Sequence, residues 1–253
     1  TGRVEPVPVS SVNVIGMDYD DPPTLISNAD FDDDGTTELV IANPSSENGA
    51  GSVVVYPGTR DRSILSESPE VWHLNGSSGE AMGMGVAAGD FDGDGIDDLA
   101  VGVPYRGNNS TMIGYVELYL GSASGLASIP YWTWTLNVTE AFTASHLVNA
   151  GDVDDDGDDE LLIVSSNYTS TNMGSEKGRV DMFMGSSSWG QIPDWTLNGS
   201  AVESILGIAI AGGGDVNGDG FDDVAISSAG TKDYPIGYSA IEIFFGSSSG
   251  LST

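Results

Sequence analysis

Cysteine is absent from the 253-residue chain, so no disulfide stabilises the fold and no thiol chemistry is available. Basic residues are scarce as well: seven Lys and Arg stand against 38 Asp and Glu, for a formal net charge of -31. Such a surface repels nucleic acid and anionic lipid, and no apolar run approaches the length of a membrane span. The sequence therefore predicts neither a nucleic-acid partner nor direct membrane insertion.

Helical periodicity is missing too. Short apolar runs are separated by Gly, Asn, Asp and Ser, a pattern typical of β-strands and tight turns. The length suits one large β domain or several small modules. Because the chain starts at Thr1 and not at Met, we expect a processed mature protein or an excerpt from a longer one.

Internal repetition is the strongest feature of the sequence. Acidic nine-residue loops recur about every sixty residues, beginning at Asp30, Asp90, Asp152 and Asp215. An apolar run, such as Leu161–Val164, follows each loop. We treat the chain as a single domain whose repeats comprise residues 1–68, 69–128, 129–190 and 191–253.

Each repeat is predicted to contain four short strands. A short strand such as Gly85–Gly89 leads into the loop, and the apolar run leaves it. A strand with a Trp-x-Leu signature precedes this pair, starting at Trp72, Trp134 and Trp195, and Val12–Val14 takes its place in the first repeat. The remaining strands end before a glycine: Val53–Tyr56, Val116–Leu120, Val180–Met184 and Ile241–Phe245.

The glycine-ended strands carry an acid at their second position in three repeats, at Glu117, Asp181 and Glu242. This alternation predicts strands with only one face buried. Four-stranded units repeated radially are the blades of a β-propeller, so we predict an all-β propeller of four blades; a linear β-solenoid is the alternative. In a closed ring, a strand near Val12–Ile15 would complete the sheet begun by Ile241–Phe245 and hide two open sheet edges.

The acidic loops share the pattern D-x-[DN]-x-D-G-x-x-[DE], which we number as positions 1 to 9. Ca²⁺ takes about six to eight oxygen ligands, and position 6 is a glycine that permits a sharp reversal. The pattern predicts four Ca²⁺ sites with side-chain ligands at positions 1, 3, 5 and 9 and a backbone carbonyl at position 7. The ligands are Asp30, Asp32, Asp34, Thr36 and Glu38; Asp90, Asp92, Asp94, Ile96 and Asp98; Asp152, Asp154, Asp156, Asp158 and Glu160; Asp215, Asn217, Asp219, Phe221 and Asp223.

Two other interpretations of these loops explain less. A solvated acidic turn requires neither the fixed glycine nor the fixed spacing. An EF-hand needs Glu at position 12 and flanking helices, whereas position 12 here is Ile41, Val101, Ile163 or Ile226, each in an apolar run. The loops hold about half of all acids, and a surface suited to high salt is a second explanation for the remainder.

The repeat resembles the FG-GAP repeat of integrin α-subunit β-propellers. Repeat 2 matches best, with Gly83-Met84-Gly85 before the loop and Leu99–Pro104 after it. Two features depart from the family: Leu206-Gly207 is the nearest equivalent of the Phe-Gly pair, and Gly-x-Pro survives only around Val103-Pro104 and Asn43-Pro44. Family propellers usually have seven blades, so a four-bladed ring, an open array and part of a larger ring all remain open. The resemblance implies protein ligands.

Asn-x-Ser/Thr sequons predict N-glycosylation and hence an exported protein. They occur at Asn75, Asn108, Asn109, Asn137, Asn167 and Asn198. Three of them follow the Trp-x-Leu strand in repeat phase, at Asn75, Asn137 and Asn198. The alternative is that Asn simply suits the turn at that place.

The leading functional hypothesis is a non-enzymatic, calcium-binding adhesion or interaction module, extracellular or at the cell surface, with a protein or glycan ligand. One alternative is a self-assembling structural subunit of an extracellular filament, sheath or surface layer. Another is a lectin that uses Trp132 or Tyr131, whereas Trp134 is in repeat register and is expected in the core. An enzyme with its site in the central channel is the last alternative. Gly246–Gly250 imitates a serine-hydrolase elbow, but it recurs as a turn and no helix follows it.

Overall fold

The computed structural model describes residues 23–58, 70–105, 113–136, 138, 142–166, 178–199, 205–231 and 234–252. Several predictions lie outside these ranges: the strand near Val12–Ile15 and the sequons at Asn108, Asn109, Asn137 and Asn167. Within the described ranges no helix has the length and apolar character needed to cross a membrane.

The described chain is all-β, as predicted, and forms four consecutive antiparallel sheets. Blade 1 contains β1 (Thr24–Ala29), β2 (Glu38–Asn43), β3 (Ser52–Tyr56) and β4 (Trp72–Asn75), with a four-residue helical turn, α1 (Ser46–Gly49), between β2 and β3. Blade 2 contains β5 (Val86–Gly89), β6 (Asp98–Val103), β7 (Tyr115–Tyr119) and β8 (Trp132–Trp134).

The second half of the chain repeats this arrangement. Blade 3 contains β9 (Thr143–Asn149), β10 (Leu161–Ser165), β11 (Arg179–Phe183) and β12 (Trp195–Asn198). Blade 4 contains β13 (Ile205–Gly214), β14 (Asp223–Thr231) and β15 (Tyr234–Phe244), which form a three-stranded sheet among the described residues.

Strand order within each sheet follows the chain, and every acidic loop joins the first strand of a blade to the second. The loops are therefore hairpin connections, as the sequence predicted. The Trp-x-Leu strand pairs with the third strand of the preceding sequence repeat: Val55 of β3 lies opposite Trp72 of β4, for example. Each four-stranded sheet thus takes its last strand from the repeat that follows.

The blades stack face to face through three apolar clusters, one at each junction of neighbouring blades. In β10, Leu161 and Ile163 pack toward blade 2, whereas Leu162 and Val164 pack toward blade 4. Burial on both faces explains why β6 and β10, which follow the second and third acidic loops, are continuous apolar runs.

The prediction that the glycine-ended strands bury only one face was wrong for β7 and β11. Both strands lie between two other blades, so both of their faces are covered. Asp181 of β11 is fully buried, and its charge is matched by Arg179 on the same strand. The acid at this place marks a buried ion pair and not a solvated face.

The first strands of the four blades converge on a central cavity of about 200 Å³, lined by residues that include Thr24, Val86, Leu147 and Ile210. This radial arrangement is the predicted propeller and not a linear solenoid. Among the described residues, no sheet pairing or apolar cluster joins blade 4 to blade 1, so the described propeller is not a closed ring.

One face of blade 4 is consequently not covered by any other described blade, and we call it the open face. In blade 4, Ile243 of β15 pairs with Ala225 of β14. The equivalent pair in blade 3 is Met182 with Leu162. Met182 is buried against blade 4, whereas Ile243 is 52% exposed.

Candidate metal centres

The four loops share one local structure, which we name loop 1 (30–38), loop 2 (90–98), loop 3 (152–160) and loop 4 (215–223). The carboxylate at position 1 organises each of them by accepting hydrogen bonds from the amides of later loop residues. In loop 2, Oδ1 of Asp90 accepts from Gly93 and Asp94 at 2.9 and 3.1 Å, and Oδ2 accepts from Gly95 at 2.8 Å. A short side chain with two acceptor oxygens is therefore required at position 1.

Backbone conformation explains two further positions. The position-6 glycines have φ of 78, 88, 101 and 98° at Gly35, Gly95, Gly157 and Gly220, which confirms the expected left-handed reversal. Position 4 is also left-handed in every loop, at Asp33, Gly93, Asp155 and Gly218. Asp and Gly are among the residues that tolerate this conformation, so the alternation of these two types was a signal that the sequence pattern, with x at position 4, did not use.

Carboxylates converge in three of the loops. In each, three carboxylate groups place oxygens within 4.8 Å of one another: Asp30, Asp32 and Glu38 in loop 1; Asp90, Asp92 and Asp94 in loop 2; Asp152, Asp154 and Glu160 in loop 3. Loop 4, which the structure describes in full, has Asn217 at position 3 and brings no three acids this close.

The donor set fits a hard divalent cation. All converging groups are oxygen ligands, the type preferred by Ca²⁺ and Mg²⁺. In loop 3, Oδ1 of Asp154 is buried and has no hydrogen-bond partner among the described residues, so a polar atom there is left for a ligand. Burial, followed by repulsion from neighbouring acids, raises the pKa of Asp32, Asp92 and Asp154, which is the electrostatic cost that a bound cation would remove.

The position-9 acids have a structural task in addition to the predicted ligand role. Glu38, Asp98, Glu160 and Asp223 are all buried. Each accepts the position-2 amide on one oxygen and the amide of the glycine after the third strand on the other; for Asp98 these donors are Phe91 at 3.1 Å and Gly121 at 2.8 Å. The acid therefore fastens the loop to the third strand of its own blade, and burial raises the pKa of Asp98 to about 8.

The remaining predicted ligands lie at the exposed side of the loops. The position-5 carboxylates of Asp34, Asp94, Asp156 and Asp219 accept the amide of position 7, at 2.8 to 3.2 Å. The position-7 side chains are half-buried, and ligation by the carbonyls of Thr36, Ile96, Asp158 and Phe221 stays a prediction.

Position 8 was missed by the sequence analysis. Its carboxylate reaches the preceding blade and accepts the amide of the position-1 residue there: Asp30 donates to Asp97 at 2.7 Å, Asp90 to Asp159 at 3.2 Å, and Asp152 to Asp222 at 3.2 Å. We call Asp97, Asp159 and Asp222 the position-8 carboxylates. Loop 1 has Thr37 at this place. The recurrence of Asp in loops 2 to 4 could have revealed the position, although not its partner.

Backbone hydrogen bonds strengthen the same junction. The amide of each position-8 residue donates to the position-1 carbonyl of the preceding loop, at 2.8 Å from Asp159 to Asp90. In blades 2 to 4, the serine after the third-strand glycine donates its amide to the position-2 carbonyl of the preceding loop, as Ser186 does to Phe91 at 3.0 Å. The turn that imitates a hydrolase elbow is thus part of the contact between blades.

Comparison with known proteins identifies the repeat. Residues 30–101 match the FG-GAP-like repeat and residues 206–239 match the FG-GAP repeat. The chain is 27% identical over 213 residues to integrin alpha-5 of Xenopus laevis, 31% over 199 residues to integrin alpha-PS2 of Drosophila melanogaster and 32% over 178 residues to integrin alpha-8 of Gallus gallus. These alignments cover 79, 76 and 68% of this chain.

The chain belongs to the FG-GAP repeat family. It spans only 19, 13 and 16% of the length of those three integrin relatives. The first FG-GAP match contains loops 1 and 2, and the second contains loop 4. Loop 3 lies outside both matches, yet its position-1 carboxylate accepts the amides of Asp156 and Gly157, each at 3.0 Å, as in the other FG-GAP loops.

The tryptophans belong to the packing of the FG-GAP blades. Trp134 is buried, as expected, but Trp132 is buried too and packs edge-on against Phe183 and Trp189. Its indole N–H donates to the carbonyl of Gly190 at 2.8 Å. The prediction that Trp132 could stack on a sugar was therefore wrong, because its ring faces are covered by blade 3.

Proposed function

We propose that this FG-GAP chain is a calcium-stabilised interaction module of the cell exterior that acts in adhesion without catalysis. The observation that supports it most directly is the convergence of acids in in-phase hairpin loops, together with the unpartnered buried oxygen of Asp154. Bound cations would neutralise these acids and stiffen the hairpins. Ca²⁺ suits the loops better than Mg²⁺, because Mg²⁺ demands strict octahedral geometry and keeps several waters.

In this proposal, each cation is held by the carboxylates or amide at positions 1, 3 and 5, the carbonyl of position 7 and the acid of position 9. A ligand that binds only the folded state stabilises it by about 2.7 kcal/mol when present at a hundred times its dissociation constant. Several occupied loops would therefore raise the thermal midpoint substantially.

Thermal unfolding in millimolar CaCl₂ and in EDTA tests this proposal. We expect a clearly higher midpoint in calcium. Asp154→Asn should remove part of the gain, namely the share contributed by loop 3, because it replaces one carboxylate among the converging acids of that loop. Asp155→Asn is the matched control, since Asp155 is the exposed neighbour and its left-handed φ of 60° suits Asn. Equal midpoints with and without calcium would rule out the stabilising role.

Few groups in the described chain suit catalysis. His73 is exposed and pairs with Glu70 at 3.3 Å, far along the chain from any loop. Among the described residues that line the central cavity, His146 is the only ionisable one. Without a nucleophile and base in contact there, the cavity supports a role in binding better than one in hydrolysis.

The partner proposed for the module is a protein or glycan at a cell surface. Attachment of cultured cells to surfaces coated with the chain, in calcium and in EDTA, would measure it. Loss of attachment after protease treatment of the cells would indicate a protein ligand, and loss after glycosidase treatment would indicate a glycan. Absence of calcium-dependent attachment to every cell type tested would count against adhesion.

An extracellular location would expose the sequons to glycosylation. Asn75 and Asn198 are exposed at the ends of β4 and β12, where an attached glycan would meet solvent. Secretion from a eukaryotic host followed by mass measurement would detect the glycans. Masses equal to that of the bare chain would oppose this part of the proposal.

Self-assembly is a second candidate, favoured by the open face of blade 4. Val216, at position 2 of loop 4, is 68% exposed, whereas Phe31, Phe91 and Val153 at the same position are buried by the next blade. Light scattering across a range of concentrations would reveal association through this face. A constant monomer mass, unchanged in Ile243→Ser, would argue against it.

A further inference from the structure

The position-8 carboxylates connect neighbouring blades. The proposed cation sites do not, because each is formed within one loop. Each belongs to one loop but holds the first residue of the loop before it, in the neighbouring blade. We propose that Asp97, Asp159 and Asp222 are positioning residues that couple cation binding in one blade to the docking of the next blade. This inference rests on the proposed cation binding and adds a direction to it: each carboxylate acts on the loop upstream of its own.

Geometry makes position 1 the point of coupling. The side chain of Asp90 is held by three amides of its own loop, whereas its backbone is held by Asp159 from the next blade through a pair of hydrogen bonds. The orientation of this first ligand therefore depends on two blades. When the next blade is docked, the ligand is already in place and binding needs less reorganisation.

Packing supports the approach of these carboxylates. A Cβ at Gly89 would collide with Oδ2 of Asp159, and a Cβ at Gly151 would collide with Oδ2 of Asp222. These two glycines come directly before position 1 and leave room for the carboxylate in loops 2 and 3. Ala29 takes that place before loop 1, where Asp97 still accepts the amide of Asp30 at 2.7 Å. In blade 3, Asn149 donates to Asp159 at 2.7 Å and to the carbonyl of Ala88 at 3.0 Å, which orients the carboxylate across the junction.

The charges predict that cation binding and blade docking favour each other. A half-buried carboxylate enters an environment that already contains the acids of the upstream loop, and their repulsion opposes docking. A divalent cation in the upstream loop would reduce this repulsion, because it neutralises two of the negative charges there. Because coupling between two binding events is reciprocal, the docked carboxylate must also raise the affinity of the upstream loop for the cation.

The chain contains its own reference loop. Loops 1, 2 and 3 are each held by a position-8 carboxylate from the next loop. Loop 4 is the last of the four, and no described carboxylate accepts the amide of Asp215. Loop 4 should therefore be indifferent to all three substitutions of these carboxylates.

Loop-specific calcium titrations test the proposal. In the full chain labelled with ¹⁵N-glycine, the position-6 glycines provide one amide signal per loop: Gly35, Gly95, Gly157 and Gly220. Asp222→Asn should weaken calcium binding at Gly157 about tenfold, within the usual range of coupling energies, and leave Gly220 of its own loop within about twofold. Asp97→Asn should instead weaken calcium binding at Gly35.

Charge-matched variants separate positioning from simple charge loss. Asp155→Asn and Asp33→Asn remove one exposed charge from loops 3 and 1 without touching a junction, and they should change affinity less than Asp222→Asn and Asp97→Asn do. If wild-type glycine signals do not respond to calcium, the proposed function fails and the coupling fails with it. If they respond but each variant weakens its own loop, all loops equally, or none, the cation binding stands and the coupling is overturned.

Discussion

The guanidinium of Arg179 donates two hydrogen bonds to the carboxylate of Asp181, at 2.7 and 2.6 Å, inside the stack of blades. Thr196 from β12 donates a third at 2.7 Å. One strand therefore carries a buried acid together with the base that neutralises it, two residues apart on the same face.

Arg179→Met should destabilise the protein by about 3 to 5 kcal/mol, because it leaves the Asp181 charge buried without a cationic partner. The midpoint of urea unfolding, measured in calcium, would show this. The double variant Arg179→Met, Asp181→Val should recover most of the loss, since replacing both members of a buried pair with apolar residues is often close to neutral. A double variant as unstable as the single one would contradict this account.

The cation-free protein should lose stability as the pH rises. Burial raises the pKa of Asp98 and of Glu160 to about 8, from ordinary values of 3.8 and 4.5. Between these ordinary values and pH of about 8, the folded chain keeps protons that the unfolded chain has released, so the free energy of unfolding falls as pH increases.

Urea unfolding in EDTA at several pH values between about 5 and 8.5 would measure this slope. In calcium the slope should shrink, because a bound cation keeps the same carboxylates ionised throughout. A midpoint in EDTA that stays constant or rises over this window would show that the two buried acids do not carry raised pKa values.

Gly157→Ala should strain loop 3. Its φ of 101° is one that side chains rarely adopt, so we expect a loss of about 1 to 3 kcal/mol and weaker calcium binding by that loop. Gly190→Ala is the control, because that glycine is exposed and a Cβ there has no neighbour closer than 3.9 Å. Equal effects of the two substitutions would contradict the proposed hinge role.

Substitutions at position 2 should cost different amounts of stability in different loops. Phe91→Ala removes a fully buried ring from the junction of blades 2 and 3 and should cost about 3 to 5 kcal/mol. Val216→Ala at the same position of loop 4 should cost less than about 0.5 kcal/mol, since that side chain is mostly exposed. Calorimetry would compare the two, and a large loss from Val216→Ala would indicate that the open face is covered in solution.

Much of the architecture could be predicted because its determinants are local. The four hairpin loops, the strands on either side of them and the left-handed glycines follow from patterns only nine to fifteen residues long. Boundaries were less certain: β7 is Tyr115–Tyr119 where Val116–Leu120 was predicted, and β15 begins at Tyr234, seven residues before the predicted Ile241. Strand ends depend on pairing with neighbours, which a single strand does not specify.

Burial was harder to predict than strand position. Asp181 indicated a solvated face because an isolated acid usually points to water. Arg179 lay two residues away in the sequence, but its role depends on β11 being enclosed between two blades. The lectin hypothesis needed Trp132 to be accessible, and it is buried. The aromatic residues that cover it come from the next blade, more than fifty residues along the chain, so its own sequence neighbours did not reveal the burial.

By itself the sequence determined which residues form each acidic loop, because the loop closes within nine residues and the hydrogen bonds of its position-1 carboxylate are local. It also determined the all-β class through the period of its apolar runs. Only the tertiary structure decided what position 8 does, which strands are enclosed and which face of blade 4 is open. Those properties arise from hydrogen bonds and packing between residues about sixty or seventy positions apart, and such contacts exist only once the blades have stacked.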